Sequence, residues 1–380
     1  MSVKSSVKTV VEDLWAKLEA QPVQVTEDNN DTNTLFIGDS GCGKSSLIQT
    51  FLKPTVTKEP KPTFALEYSF ARKKGNSTTG AQSNSKCVAH IWELGGDINE
   101  PRLIDIAISV KNIAATTVVI CCDLSRPQNA LASLKKWITL IRDSIKKRLA
   151  ELKVNNPTEV SSLRERAYSQ YEENLNDRTR VKPCEVPIVI IANKYDILKT
   201  KSVSERRSVM QVMRFIAHLH GASLYVTSST EPSLKEGLRN FINSICFRLP
   251  LKSSCDVAID KPATITAGRD DFTQILISSL SENSSSTAAK SRLIYSESDV
   301  PSFLTPQGPA PECWSRFTEH LAVMFGQPDA SIDAPADAED RREENEFPEA
   351  EVDEMRAQRD MALQRYIQVS NISNFTIIFL

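Results

Sequence analysis

Eight consecutive residues decide the fold, and they read Gly38-Asp39-Ser40-Gly41-Cys42-Gly43-Lys44-Ser45. They match the pattern G-x-x-x-x-G-K-[ST], in which backbone N–H groups and a helix N-terminus surround a phosphate. An apolar run at 34–37 precedes them, and residues 46–52 follow with apolar side chains at helical spacing. The sequence therefore predicts a strand, a phosphate-binding loop and a helix, in that order.

The side chains at the end of this loop carry the phosphate chemistry. Lys44 is expected to reach the β- and γ-phosphates of a nucleotide, and the hydroxyl of Ser45 to provide a ligand for Mg²⁺. We assign the next residue, Ser46, to the same phosphate site. The glycines allow the loop to wrap closely around an anion.

A second motif follows the apolar run 186–192 and reads Asn193-Lys194-Tyr195-Asp196. This N-K-x-D pattern is the guanine-specificity signature of the GTPase superfamily. The Asp196 carboxylate can accept hydrogen bonds from guanine N1–H and the exocyclic amine, whereas adenine presents neither donor in that arrangement. We expect Lys194 to lie along the base plane and Asn193 to brace the loop. Ser228, at the end of a later strand, stands where the last base-contacting loop usually has alanine.

Two further segments have the spacing of a GTPase-type magnesium site. Thr63 lies nineteen positions after Lys44, where such a fold places the threonine that closes on Mg²⁺ and the γ-phosphate. In the position of the D-x-x-G motif, Glu93 replaces the usual aspartate and Gly96 is the glycine that contacts the γ-phosphate. The predicted metal ligands are therefore Ser45, Thr63 and Glu93.

Composition excludes several other classes of protein. Charged residues make up 25% of the 380 residues and the net charge is −2, which gives no electrostatic case for nucleic acid as the main partner. The eight cysteines show no CxxC pair or Cys/His cluster, so a zinc site is not expected. No segment holds about 18 consecutive apolar residues, so no membrane span is predicted.

The order of apolar runs predicts three regions. Residues 1–33 form an amphipathic helix and a polar link, and residues 34–250 alternate strands and helices. That alternation predicts an α/β fold with a doubly wound, mostly parallel sheet, and the phosphate loop and N-K-x-D motif indicate a Ras-like P-loop G domain with an insertion at about 143–182. Residues 251–380 read as an extended region that orders against a partner, with a disordered acidic linker at 329–350.

Several segments together resemble the dynein light intermediate chain family, and most closely its members from cytoplasmic dynein 2, the intraflagellar-transport motor. The resemblance spans roughly residues 35–366. Its P-T-x-A-L-E-Y and W-E-L-G-G segments are specific to this family rather than to GTPases at large. The residues that carry it are 61–68, 92–96, 193–196, 214–218, 221–224, 265–268 and 351–356.

The resemblance implies a non-motor subunit whose Ras-like domain docks on the tail of the dynein 2 heavy chain and stabilises it. It also implies contact with other dynein 2 subunits and the intraflagellar-transport machinery, without microtubule binding by this subunit itself. The corresponding locations are the cytoplasm, the cytoskeleton and the cilium or flagellum, with its axoneme and basal body. The intact phosphate loop and N-K-x-D motif add GTP or GDP with Mg²⁺ as a bound cofactor.

The hydrolytic positions separate this interpretation from its alternatives. Glu93 carries an extra methylene, and Asp97 stands where a neutral glutamine usually orients the attacking water. We therefore expect weak or absent GTP hydrolysis and assign no catalytic residue. The main alternative is an active guanine-nucleotide switch that hydrolyses GTP. An ATP-using P-loop kinase is disfavoured by the N-K-x-D motif.

Overall fold

The computed structural model describes twelve parts of the chain: residues 31–55, 58–74, 86–96, 101–171, 175–249, 254–257, 262–277, 304–305, 308–329, 354–355, 358–359 and 361. The chain divides into two units, Met1–Asp329 and Ala330–Leu380, and every element below belongs to the first. The predicted N-terminal helix and Asp97 lie outside the described residues, as does the acidic linker beyond Asp329.

An eight-stranded sheet forms the centre of the first unit, in the order β2-β3-β1-β4-β5-β6-β8-β7. The five strands β3, β1, β4, β5 and β6 pair in parallel, whereas β2 joins β3 and β8 joins β6 in antiparallel. This order confirms the predicted Ras-like, mostly parallel fold. The strands are β1 (Thr32–Ile37), β2 (Leu66–Lys74), β3 (Lys86–Leu94), β4 (Thr116–Asp123), β5 (Ile188–Asn193), β6 (Ala222–Val226), β7 (Cys255–Asp256) and β8 (Thr264–Ile265), with a separate pair β9 (Leu304–Thr305) and β10 (Gly308–Pro309).

Helices cover both faces of this sheet, because alternate strand residues point to opposite sides. On one face Phe36 and Ile91 pack with Leu47 and Leu238, and on the other Leu35 packs in the cluster that holds most of the remaining helices. The helices are α1 (Lys44–Leu52), α2 (Pro101–Ala107), α3 (Pro127–Asn155), α4 (Pro157–Ser169), α5 (Leu175–Arg178), α6 (Tyr195–Leu198), α7 (Val203–His220), α8 (Pro232–Cys246), α9 (Phe272–Ile277) and α10 (Pro311–Phe325). No helix among the described residues is long and apolar enough to cross a membrane.

The predicted insertion at 143–182 covers the second half of α3 together with α4 and α5. Asn156 joins the two longer helices, since its side-chain oxygen accepts a hydrogen bond from the Glu159 N–H at the start of α4. Val160 and Leu163 of α4 are buried in the same cluster as the face of α3. The insertion therefore adds a helical layer that is continuous with the core.

The chain after residue 250 differs from the predicted extended region. Strand β8 adds to the edge of the central sheet beside β6, and the rings of Phe272 and Phe317 lie 5.2 and 4.9 Å from that of Phe215 on α7. All three rings are fully buried. The compact unit consequently extends to Asp329 rather than ending near residue 250, because these short segments bury aromatic side chains against α7.

Candidate nucleotide site

The phosphate loop connects β1 to α1 and depends on two glycines that touch neighbouring backbone or side chains. Gly38 has φ 144° and Gly43 has φ 97°, values that favour glycine. A Cβ at Gly38 would lie 2.2 Å from the Cys121 carbonyl oxygen, and one at Gly43 would lie 2.3 Å from Asn193 Nδ2. The loop is therefore seated tightly on the ends of β4 and β5.

Lys44 is held inside this loop by the loop's own carbonyl groups. Its Nζ donates to the carbonyl oxygens of Gly38 at 2.8 Å and Asp39 at 3.0 Å, and the side chain is buried. Outside the loop, Trp137 Nε1 of α3 donates to Asp39 Oδ1 at 2.7 Å. The sequence analysis did not identify Trp137 as a site residue, because a tryptophan at an apolar position of a predicted helix indicates only core packing.

The three predicted metal ligands lie together at the loop. Ser45 Oγ donates to Glu93 Oε1 at 2.6 Å, and the Thr63 hydroxyl lies between Glu93 and Glu67, 3.3 Å from Glu67 Oε2. Burial raises the pKa of Glu93, while hydrogen bonds from Ser45 and Thr63 and the charge of Lys44 act against that rise. Two hydroxyls and one carboxylate supply the oxygen ligands that Mg²⁺ prefers, together with nucleotide phosphates. The residues present therefore fit this ion.

Gly96 contacts the phosphate loop directly. A Cβ at this position would lie 2.0 Å from the Ser40 backbone nitrogen, so only glycine allows the approach. The neighbouring Gly95 N–H donates to the Ala65 carbonyl at 2.7 Å, which ties the segment after β3 to the one before β2. The predicted γ-phosphate glycine thus lies against the backbone that would surround a phosphate.

Asn193 joins three parts of the site. Its Nδ2 donates to the Cys42 carbonyl oxygen in the phosphate loop at 3.0 Å. Its Oδ1 accepts from the Ser229 backbone N–H, in the loop after β6, at 3.1 Å. These two bonds give Asn193 the bracing position that the N-K-x-D motif predicts.

The other residues that are predicted to contact the guanine base, which we call the base-side residues, form two hydrogen-bonded pairs. Ser228 Oγ donates to Asp196 Oδ1 at 2.5 Å, and it accepts from the N–H groups of Thr230 and Glu231. Lys194 has a left-handed φ of 64°, and its Nζ donates to Asp123 Oδ2 at 2.5 Å. The sequence analysis missed Asp123, although an acidic residue that ends a buried strand is a usable signal. Asp196 and Lys194 therefore each have a hydrogen-bonded side-chain partner.

The sequence of this chain matches those of known dynein light intermediate chains. A sequence model described as Dynein light intermediate chain (DLIC) matches residues 12–187. The chain is 30% identical over 370 residues to cytoplasmic dynein 2 light intermediate chain 1 of Bos taurus, covering 95% of this chain and 97% of that protein. It is 31% identical to the Homo sapiens protein of that name, covering 89% of this chain and 88% of the other.

This chain belongs to the dynein light intermediate chain family. As a dynein light intermediate chain it is a subunit of a dynein motor. It is also similar to a crystal structure of the conserved domain of a dynein light intermediate chain, at 18% identity and a TM-score of 0.46, over 67% of this chain and 87% of that one.

The segments that carry the family resemblance meet on the sheet of this light intermediate chain. Tyr68 of β2 is opposite Trp92 of β3 in register, with ring centroids 4.8 Å apart, and its hydroxyl lies 2.7 Å from His90 Nδ1. Phe70 stacks on Tyr68 at 6.4 Å, and about half of each of these two side chains is exposed. We call Tyr68, Phe70, His90 and Trp92 the aromatic surface.

Substituting Glu93 with glutamine should separate metal binding from folding in this light intermediate chain. We expect the Mg²⁺-dependent part of nucleotide affinity to fall about 10- to 100-fold, since the amide cannot replace the carboxylate. Without metal the variant should be at least as stable as the parent above pH 7, because burial disfavours the charged carboxylate. Nucleotide titrations with Mg²⁺ or EDTA and urea unfolding measure the two effects.

The difference in stability between the parent and Glu93→Gln should change with pH in one direction. Because the pKa of Glu93 is raised above its ordinary value of 4.5, the folded parent loses stability relative to Glu93→Gln as pH rises through that pKa. Glu165→Gln is the control, as Glu165 is an exposed carboxylate on α4, whereas the charge of Glu67 itself raises the pKa of Glu93. If Glu165→Gln gave the same pH-dependent difference, burial of Glu93 would not be its cause.

Proposed function

We propose that this chain is a light intermediate chain of cytoplasmic dynein 2. In this proposal it is a non-catalytic subunit that binds and stabilises the heavy-chain tail for retrograde intraflagellar transport and cilium assembly. It would act with other dynein 2 subunits and the transport machinery in the cytoplasm, on the cytoskeleton and in the cilium. The extent of similarity supports dynein 2. Cytoplasmic dynein 1 light intermediate chain 1 of Homo sapiens is 28% identical over only 37% of this chain and 24% of its own length.

The aromatic surface supports heavy-chain docking. It combines Tyr68 and Trp92, from the two segments that are specific to the family, with their strand neighbours Phe70 and His90, and it lies on the β2–β3 edge of the sheet. Exposed aromatic side chains are enriched among the residues that dominate protein interfaces. In our proposal the tail of the dynein 2 heavy chain covers this surface.

Phe70→Ser tests this assignment in cells or in a co-expression system. We expect the parent chain to copurify with the dynein 2 heavy-chain tail and the variant to bind it about 30-fold more weakly, as for other interface aromatics. Val154→Ser is the matched control, because Val154 is an exposed apolar residue on α3. Equal retention of both variants would exclude the aromatic surface, and preferential capture of the dynein 1 tail by the parent would contradict the dynein 2 assignment.

We further propose that the Ras-like domain holds GTP or GDP with Mg²⁺. The observation that carries this proposal is the meeting of Ser45, Thr63 and Glu93 at the phosphate loop. Asn193 links the same loop to the base-side motif. Lys44 and the N-terminus of α1 would bind the phosphates, and Asp196 would accept hydrogen bonds from guanine. When bound, the metal would neutralise phosphate charge and orient the nucleotide.

The Asp196→Asn variant tests base selection apart from phosphate binding. The parent should prefer GDP to ADP strongly, because adenine leaves the Asp196 carboxylate without donors. In the variant we expect GDP affinity to fall about 10- to 100-fold while ADP affinity changes little, since one good hydrogen bond to a charged group is lost. Competition titrations with both nucleotides measure this. An unchanged GDP-to-ADP ratio would remove Asp196 from the base site.

We also propose that the chain hydrolyses bound GTP slowly or not at all. Glu93 accepts a hydrogen bond from Ser45 at 2.6 Å, and its extra methylene would change the reach of the carboxylate to a metal compared with the usual aspartate. Incubation of the purified protein with GTP for hours, with chromatography of the products, distinguishes a retained ligand from an active switch. Turnover that Lys44→Ala removes would favour the switch.

A further inference from the structure

A basic pocket of about 420 Å³ lies between α3, α4 and the segment that leads into β5. Three of its lining side chains are cationic and one is acidic: Arg142, Arg164, Lys182 and Glu185. The pocket is at the amino end of β5, whereas the N-K-x-D motif follows its carboxyl end. The six residues of β5 separate the two places by roughly 20 Å. The basic pocket is therefore not part of the nucleotide site.

Hydrogen bonds fix the Arg142 guanidinium and the backbone of Lys182 on one side of the pocket. Arg142 Nη1 donates to the Lys182 carbonyl oxygen at 2.6 Å, which ties α3 to the approaching segment. The Lys182 backbone N–H in turn donates to the Leu219 carbonyl oxygen of α7 at 2.7 Å. Backbone and guanidinium are thus held in place, and the Lys182 side chain is exposed.

The charges in the pocket do not cancel among the described residues. Arg164 Nε lies 3.3 Å from Glu185 Oε1 in a pair whose arginine is 63% exposed, so this contact is weak. The Glu185 carboxylate can neutralise only one of the three cationic side chains that line the pocket. Nearby, burial and then the charges of Arg142 and Lys182 lower the pKa of His220 to about 3, which leaves a neutral imidazole beside the cations. The pocket therefore retains an excess positive charge.

We propose that the basic pocket binds a small polyphosphate. Guanidinium groups match phosphate oxygens with paired N–H donors, and Lys182 adds a mobile ammonium. The volume lies within the range of about 300–1,000 Å³ that small-molecule sites occupy, so a single phosphate would leave most of it empty. Tyr168 and Pro183 supply a wall against which a ring carrying several phosphates can pack.

Calorimetric titration of the full chain with inositol hexakisphosphate tests this inference. The titration is made in the Lys44→Ala variant, so that the phosphate loop does not contribute. We expect Arg164→Gln/Lys182→Gln to weaken binding about tenfold or more, because two charge-assisted contacts are lost. Lys146→Gln removes one exposed positive charge from α3 outside the pocket and should change affinity less than about twofold. Both lysines and Arg164 are exposed, so thermal unfolding should be unchanged.

Vesicles distinguish a soluble ligand from a lipid headgroup. Phosphatidylcholine vesicles with and without phosphatidylinositol bisphosphate are sedimented with the same variants. Sedimentation that needs the bisphosphate and is lost in Arg164→Gln/Lys182→Gln would assign a headgroup, whereas calorimetric binding without sedimentation would assign a soluble polyphosphate.

Three results would overturn the inference. They are absence of binding in both assays, equal weakening by Lys146→Gln and the double variant, and binding that the double variant leaves unchanged. None of them bears on the nucleotide proposal, because that site is tested by Asp196→Asn and Glu93→Gln.

Discussion

Replacement of Asp270 by alanine is expected to lower the free energy of unfolding by about 3–5 kcal/mol. In the parent, Arg214 of α7 makes two hydrogen bonds to the Asp270 carboxylate, at 2.8 and 2.6 Å, and the two side chains are 8% and 3% exposed. Removal of the carboxylate leaves a buried guanidinium whose charge has lost this partner. Urea unfolding followed by circular dichroism measures the difference.

The first control for this prediction replaces both members of the buried ion pair with apolar residues. Arg214→Met/Asp270→Leu should recover most of the lost stability, because a buried ion pair and a well-packed apolar pair of similar volume are close in free energy. Glu185→Ala, which breaks the exposed pair with Arg164, should cost less than about 1 kcal/mol. A cost below about 1 kcal/mol for Asp270→Ala would mean that residues 262–277 do not belong to the cooperative folding unit.

Lys44→Ala is expected to reduce guanine-nucleotide affinity at least about a hundredfold. Two or more charge-assisted hydrogen bonds to phosphate oxygens are lost, each worth about 1.5–3 kcal/mol. The chain should remain folded, because the hydrogen bonds seen for the Lys44 ammonium all go to its own loop, namely the carbonyl oxygens of Gly38 and Asp39 and the Cys42 sulfur. Fluorescent-nucleotide titration and chromatography of nucleotide released on denaturation measure the loss.

Association with the heavy-chain tail gives this variant a second measurement. We expect Lys44→Ala to copurify with the tail as the parent does, because the aromatic surface lies on β2 and β3. Lys111→Ala, which removes an exposed lysine after α2, should change neither property. Retention of nucleotide by Lys44→Ala would contradict the site, and loss of the tail by a folded variant would show that nucleotide supports docking.

Local motifs made the sheet and much of the candidate site predictable. The phosphate loop and N-K-x-D each occupy consecutive residues, so their backbone context is visible in the sequence. The apolar runs of β4 and β5 identify buried parallel strands in the same way. The alternation of strands and helices along the chain then predicts the doubly wound sheet without any knowledge of side-chain contacts.

Contacts between distant residues could not be predicted in this way. The pairs Trp137–Asp39, Lys194–Asp123 and Arg214–Asp270 join residues 98, 71 and 56 positions apart. No periodicity links such positions, since hydrophobic spacing identifies a buried face but not its partner. The same limit explains the predicted boundary near residue 250, because the segments beyond it are short and become apolar layers only when they pack.

The packing of α7 has a consequence for synthesis of the chain on the ribosome. Phe215 emerges 57 residues before Phe272 and 102 residues before Phe317, the two rings that cover it. At about 5–20 residues per second, the Phe215 ring stays without these two partners for roughly 3–20 s. A nascent chain whose first 250 residues have left the ribosome would hold most of the central sheet while this part of α7 is still exposed. Chaperone capture should therefore peak in that window of elongation.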